Sequence, residues 1–126
     1  MKTPAQLGLP PKFDKWRPGQ DRITQQILDS RNSGALVQVV PTGGGKSICY
    51  LTAAVLLNGR TVILTSTKGL QDQLSAEFGD YIRVVKGQSA YRCKVSGYPC
   101  SHGPCHWGYR CPIKERGCEY FDAVNA

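Results

Sequence analysis

The run Pro41-Thr42-Gly43-Gly44-Gly45-Lys46-Ser47 limits what this chain can fold into more than any other stretch. Adjacent glycines let successive backbone N–H groups turn toward one point, and a lysine ammonium and a serine hydroxyl follow at once. That order suits the phosphates of a nucleoside triphosphate such as ATP: amides cradle them, Lys46 neutralises the β and γ oxygens, and the Ser47 hydroxyl can ligate Mg²⁺. The loop must leave a strand and enter a helix. Residues 34–40 are apolar and rich in β-branched side chains, and Ile48 to Leu57 predicts a buried helix stopping at Asn58-Gly59. Val40 departs from the strict spacing, which begins with glycine. The competing reading is a glycine turn that merely joins the two elements.

At 126 residues the chain is one domain's worth of sequence and can bury a core without disulfides. A formal charge of +7 and a pI near 9.3 favour polyanionic partners, through direct attraction and counterion release. The bland alternative is a solvated basic surface. No charged-then-apolar leader opens the chain, and no apolar run approaches the roughly 20 residues of a membrane span. The expectation is therefore a soluble intracellular protein, cytoplasmic in a bacterial or phage-like source or else nuclear, with no membrane partner. In a reducing compartment cysteines serve as metal or cluster ligands more often than as disulfides.

Residues 1–18 carry four prolines and little periodicity, which predicts an extended lead-in. A helix follows, with Pro18 near its first turn and Ile23, Ile27 and Leu28 as its apolar stripe. Thr61 to Ser66 is a short β-branched run suited to a central parallel strand. A helix is expected from Lys68 to Phe78, with Leu70, Leu74 and Phe78 at every fourth position, and a third strand over Tyr81 to Val85. Alternation of this kind predicts an α/β domain with a parallel sheet and right-handed crossovers. Glu119 to Ala126 reads as the start of a helix without a stop signal, so an incomplete domain is expected.

Beyond Gly87 glycine, proline, tyrosine and cysteine replace the aliphatic pattern, and a bound metal centre is the available source of order. Five of the six cysteines fall here: Cys93, Cys100, Cys105, Cys111 and Cys118, with His102 and His106 among them. None forms a Cys-x-x-Cys pair, which counts against a zinc ribbon or finger and suits thiolates around a larger iron–sulfur cluster. A mixed zinc site through the histidines stays open. A four-iron cluster takes four thiolates, so one of the five is surplus. Cys49, on the helix after the glycine loop, reads as a small buried apolar residue. Arg92, Lys94, Arg110, Lys114 and Arg116, interleaved with Tyr91, Tyr98, Trp107 and Tyr109, could line a single-strand path by charge and stacking, or could be a solvated loop surface.

Four segments together resemble superfamily 2 DNA helicases. Trp16-Arg17-Pro18-Gly19-Gln20 and the loop Pro41 to Ser47 are similar to the opening motifs of RecQ helicases. Thr65 to Leu74, and Lys86 to Cys93 leading into the cysteines, resemble the DinG/XPD group of iron–sulfur helicases. The position of the cysteines favours the second group. The resemblance implies a P-loop NTPase (RecA-like) fold whose first part covers 19–87, a cysteine-rich 4Fe-4S segment over 88–120, and a helix beginning over 121–126. It also implies roles. Gln20 would read the adenine edge and Arg17 would support that loop or contact the nucleotide, unless Pro18-Gly19-Gln20 simply opens a helix. Lys46 and Ser47 would hold phosphate and Mg²⁺ in catalysis. Thr65, Ser66, Thr67 and Lys68 would grip a DNA phosphate, with a plain helix cap by Ser66 or Thr67 as the alternative. Cys93, Cys105, Cys111 and Cys118 would ligate the cluster, with Cys100 as the alternative ligand and Zn²⁺ as the alternative metal.

Helicase motors of this type also need an acidic Walker B strand and a second domain that supplies an arginine finger. No Asp-Glu pair follows an apolar strand here, so the expectation is the N-terminal part of an ATP-dependent DNA helicase, a fragment that alone is inactive and binds nucleotide weakly. It would act on single-stranded or forked DNA, move 5′→3′ by resemblance, and lack its C-terminal helicase domain. Two other classes stay open: a metal-stabilised DNA-binding module with an inactive loop, and a P-loop NTPase that does not act on nucleic acid.

Overall fold

The glycine loop does feed a helix. In the computed structural model, which describes every residue except Glu115, α1 spans Gln20–Asp29 and α2 spans Lys46–Leu57. Helix α2 begins at Gly45, held at φ 71°, and ends at Asn58, whose left-handed conformation (φ 47°) lets its N–H reach Val55 O. Its apolar run buries Ile48, Cys49, Leu51, Thr52 and Ala53.

Helix α1 packs on α2, but not through the expected stripe. Gln20 and Thr24 are its buried residues, whereas Ile23, Ile27 and Leu28 are only half-buried. The reason is hydrogen-bond satisfaction. Thr24 Oγ1 donates to Gln20 O (2.9 Å) and lies 3.5 Å from Cys49 O, so its hydroxyl can be fully enclosed. Gln20 meets Gly45 and Thr24 meets Cys49, a step of four residues on each helix, so the two helices run in the same sense at this contact.

Residues 1–18 are not an extended lead-in. They form two 3₁₀ turns, Ala5–Leu7 and Pro11–Phe13, and bury Pro4 and Leu9. Proline fixes φ near the helical value, so Pro4 and Pro11 favour these turns, and the first of them packs against α2.

The described residues contain no β-strand, and their one isolated bridge joins Arg92 and Pro99. Val37 and Val39 are 88% and 97% exposed, Val62 and Leu64 73% and 90%. Residues 35–41 are tethered sideways instead, because Gln38 Nε2 donates to Ile23 O (3.3 Å) and to Gln26 Oε1 (3.0 Å) on α1. A cavity of about 670 Å³ lies between them and α1.

These elements belong to the first of two compact units, Met1–Leu64 and Thr65–Ala126. The second opens with α3 (Lys68–Phe78), at the bounds the periodicity predicts, and closes with α4 (Glu119–Asn125). Leu74 and Phe78 are buried, while Leu70, the third member of the stripe, stays exposed. The division differs from the expected one at 87/88 because α3 belongs with the cysteine segment. Lys86 pairs with Asp72 of α3, and its backbone N–H donates to Tyr91 Oη (3.0 Å). Of the segment expected over 88–120, Glu115 lies outside the described residues.

Phe78 is the largest fully buried side chain, so Phe78→Ala should destabilise the second unit by about 3–5 kcal/mol, while Leu70→Ala costs under ~1 kcal/mol. Urea unfolding followed by Trp107 fluorescence checks the contrast, and equal costs would contradict this core.

Candidate functional site

The glycine loop is shaped by its own turn and by one side chain. Gly44 N–H donates to Pro41 O (3.1 Å), and Gly43 and Gly45 take positive φ values of 82° and 71°. Gly44 leaves little room for a side chain, since a Cβ there would stand 3.0 Å from Val40 Cγ1 and 3.1 Å from Pro41 O. Lys46 is exposed, and its ammonium donates to Val40 O (3.2 Å) and Pro41 O (3.3 Å), folding back over the loop. Ser47 is half-buried at the second helical position. The first N–H groups of a helix lack partners within it and carry the positive end of its dipole, so the mouth of this loop can receive an anion.

Gln20 is buried, and its amide is engaged by the backbone. Oε1 accepts from Arg17 N–H (3.0 Å), and Nε2 donates to Gly44 O and Gly45 O, both at 3.3 Å. The expected adenine-reading amide therefore faces the glycine loop. Arg17 contributes its backbone N–H to this arrangement, and its side chain is exposed. Sequence reasoning missed Thr24, although its place four residues after Gln20 sets it on the same helical face.

Thr65 to Lys68 lead into α3. Thr67 is the cap, its hydroxyl accepting from Leu70 N–H (3.3 Å), while Ser66 and Lys68 are exposed and Thr65 Oγ1 is enclosed without a partner.

A tight turn brings the first two thiols of the cysteine segment near each other. Cys93 N–H donates to Tyr98 O and Cys100 N–H to Tyr91 O, both at 2.7 Å, with Gly97 at φ 74° closing the turn. Gly103 packs on the Cys93 thiol so closely that a Cβ would come within 2.9 Å of Sγ. Cys105 lies in the 3₁₀ turn Pro104–Trp107, and Cys118 precedes α4. Burial, and then the neighbouring Cys118, Cys93 and Cys105, push the Cys100 thiol up to about 11. Hydrogen bonds, that of Ser96 foremost, lower the Cys93 thiol. Among the described residues no three His, Cys, Asp or Glu side chains are arranged to hold a single metal ion.

Cys111 is placed differently. With Cys105, Tyr109, Arg110, Lys114 and Arg116 it lines a cavity of about 740 Å³. Three of the expected basic residues thus share one concavity. Arg92 instead donates from Nε to Gly97 O (3.1 Å). Tyr98, Trp107 and Tyr109 are exposed, but Tyr91 is not a free stacking face, because its ring lies 5.5 Å from that of Tyr120. His102 Nδ1 meets Ser101 Oγ and His106 Nδ1 meets Gln88 Oε1, each at 3.1 Å.

A glycine loop that opens a helix with Lys-Ser has the sequence pattern of phosphate-binding loops. The family model of the DEAD/DEAH box helicases matches residues 17–99, more than half of the chain, and the chain belongs to that family. It is 37% identical to the ATP-dependent DNA helicase RecQ of Bacillus subtilis over 65 residues, 51% of this chain and 11% of that protein. It is 34% identical to the ATP-dependent DNA helicase YoaA of Haemophilus influenzae over 73 residues, 50% of this chain and 11% of that protein. With the human ATP-dependent DNA helicase Q4 it shares 42% identity over 50 residues, 40% of this chain and 4% of that protein. The chain thus spans about a tenth or less of the length of these curated relatives. No solved structure matches it. No helix among the described residues is long and apolar enough to cross a membrane.

Cys49 is buried and its thiol is raised above the ordinary value, chiefly by burial. A raised thiol pKa leaves less thiolate near neutral pH, and thiolate is the reactive form. At pH 8, alkylation of Cys49 by iodoacetamide should be at least about tenfold slower in the native chain than in urea. Peptide mapping reads this directly, and equal rates would contradict the packing of α2.

Proposed function

We propose that this chain is part of the motor of an ATP-dependent DNA helicase, with the P-loop NTPase (RecA-like) α/β fold as its framework. The family match across 17–99, with Lys46 and Ser47 opening α2, carries this reading. Triphosphate enters at the mouth of the loop, where the α2 N-terminal amides receive its oxygens. Lys46 exchanges the carbonyls of Val40 and Pro41 for the β and γ phosphates, and Ser47 would hold Mg²⁺, which when bound would neutralise charge on the phosphates. Thr65 to Lys68 hold a DNA phosphate at the start of α3. The cavity lined by Arg110, Lys114 and Arg116, with Trp107 and Tyr109 exposed nearby in sequence, serves a single strand or fork.

Lys46→Ala should weaken Mg·ATP binding by about 100-fold, since it removes charge-assisted contacts to phosphate. Calorimetry on the full chain measures this. Unchanged affinity would remove the nucleotide reading.

For the cysteine segment we propose a 4Fe-4S cluster held by Cys93, Cys100, Cys105 and Cys118. This set replaces Cys111 of the expected one by Cys100, and its support is the turn that sets Cys93 and Cys100 side by side, both buried. Four thiolates match the donor set of such a cluster, which when bound would cross-link a segment poor in regular structure. Movement 5′→3′ belongs to this iron–sulfur reading and stands or falls with it. After anaerobic reconstitution, Cys100→Ser should lose most iron and sulfide while Cys111→Ser keeps both. The reverse pattern would restore Cys111 to the set, and zinc without sulfide in the unsubstituted chain would overturn the cluster.

A further inference from the structure

The thiols of the cysteine segment begin and end beside the same kind of residue. Tyr91 stands two residues before Cys93, and Tyr120 two residues after Cys118. Their rings meet, with centroids 5.5 Å apart and planes at 60°. A tilted pair at this separation lets the positive edge of one ring approach the negative face of the other, an attraction beyond the area the rings bury.

Each ring is fixed on its own side. Tyr91 has extended backbone (φ −108°, ψ 140°), and its carbonyl accepts from Cys100 N–H (2.7 Å). Side chains alternate along extended chain, so Tyr91 and Cys93 leave the same side of it. Arg92 between them is exposed, and Cys93 is buried. The Tyr91 hydroxyl accepts from Lys86 N–H (3.0 Å), and Lys86 pairs with Asp72 of α3. Tyr91 is thus held both to α3 and to the turn that carries Cys93 and Cys100. Tyr120 belongs to α4, a helix of seven residues, too short to be stable alone. Packing must place that helix, and the contacts that do so include the Tyr91 ring and Lys114, whose ammonium lies 5.5 Å from the centre of the Phe121 ring. Cys118 caps α4 and accepts from Asp122 N–H (2.9 Å), so where α4 sits decides where Cys118 sits. Between the two tyrosines the described residues form turns and 3₁₀ turns, with no α-helix or strand. Closing such a chain on itself costs entropy, which the ring contact helps to offset.

We infer that the Tyr91–Tyr120 pair is a clasp that holds Cys118 at the Cys93–Cys100 turn before any metal is bound, which makes both tyrosines positioning residues for the metal centre. The inference rests on the cluster reading above. The ring of Tyr120, rather than its hydroxyl, makes the contact.

To test it, the full chain is reconstituted anaerobically with ferrous iron and sulfide and then treated with iodoacetamide, and peptide mapping gives the alkylation rate of each cysteine. In the unsubstituted chain Cys93, Cys100, Cys105 and Cys118 should be protected. Tyr120→Leu removes the ring but keeps an apolar side chain suited to a helix, and Tyr91→Leu removes the ring on the other side. In both variants Cys118 should react about tenfold faster, as expected for loss of one ring pair, while Cys93 and Cys100 stay protected. Tyr120→Phe, which keeps the ring, should protect Cys118 as the unsubstituted chain does. Equal protection of Cys118 in both leucine variants would overturn the clasp, and so would release of all four thiols together or a Tyr120→Phe chain that behaves like Tyr120→Leu. An unsubstituted chain that takes up no iron and protects no thiol would overturn the cluster reading, and the clasp with it.

Discussion

The side-chain amide of Gln20 joins two stretches of backbone far apart in sequence: Arg17 before α1, and the Gly44-Gly45 pair that leads into α2. An amide buried to 4% exposure would cost several kcal/mol unpaired, so the loop must stay where these bonds are made. The Thr24 contact with Cys49, one helical step along, extends the same seam between α1 and α2. Glycine at 45 is the matching concession on the loop side. The first unit is therefore organised by a polar contact at the end of an apolar one, and the candidate phosphate cradle sits at that end.

The helices were legible in the sequence because their signals are local. Leu74 and Phe78 and the hydroxyl cap mark α3, and Asn58 stops α2 where an αL residue is needed. The β-branched segments were equally plain as composition, yet composition cannot supply ladder partners, and Val37, Val39 and Leu64 stand exposed. The buried face of α1 was misread for a related reason. A hydrophobic count favours Ile23, Ile27 and Leu28, but Thr24 goes inside because carbonyls on two helices satisfy its hydroxyl. The proline-rich opening hid its turns, since prolines suit extended chain and 3₁₀ turns alike.

The cysteine segment shows the same limit in another form. Five thiols without a tight pair cannot be ranked by spacing, and what separates Cys100 from Cys111 is tertiary: burial, and the company of other thiols. Cys100 is 1% exposed among thiols that raise its pKa, an arrangement unfavourable to charge until a cation offsets it. Cys111, less buried, lines a concavity with Cys105, Arg110, Lys114 and Arg116.

The central claim is that phosphate is received where the glycine loop opens α2. Amide ¹H–¹⁵N spectra of the full chain, recorded as inorganic tripolyphosphate and Mg²⁺ are added, test it at single residues. The largest shifts should fall on Gly43, Gly44, Gly45, Lys46 and Ser47, with α4 unmoved. Shifts confined to Tyr109, Arg110, Lys114 and Arg116, with the glycine loop silent, would contradict the account.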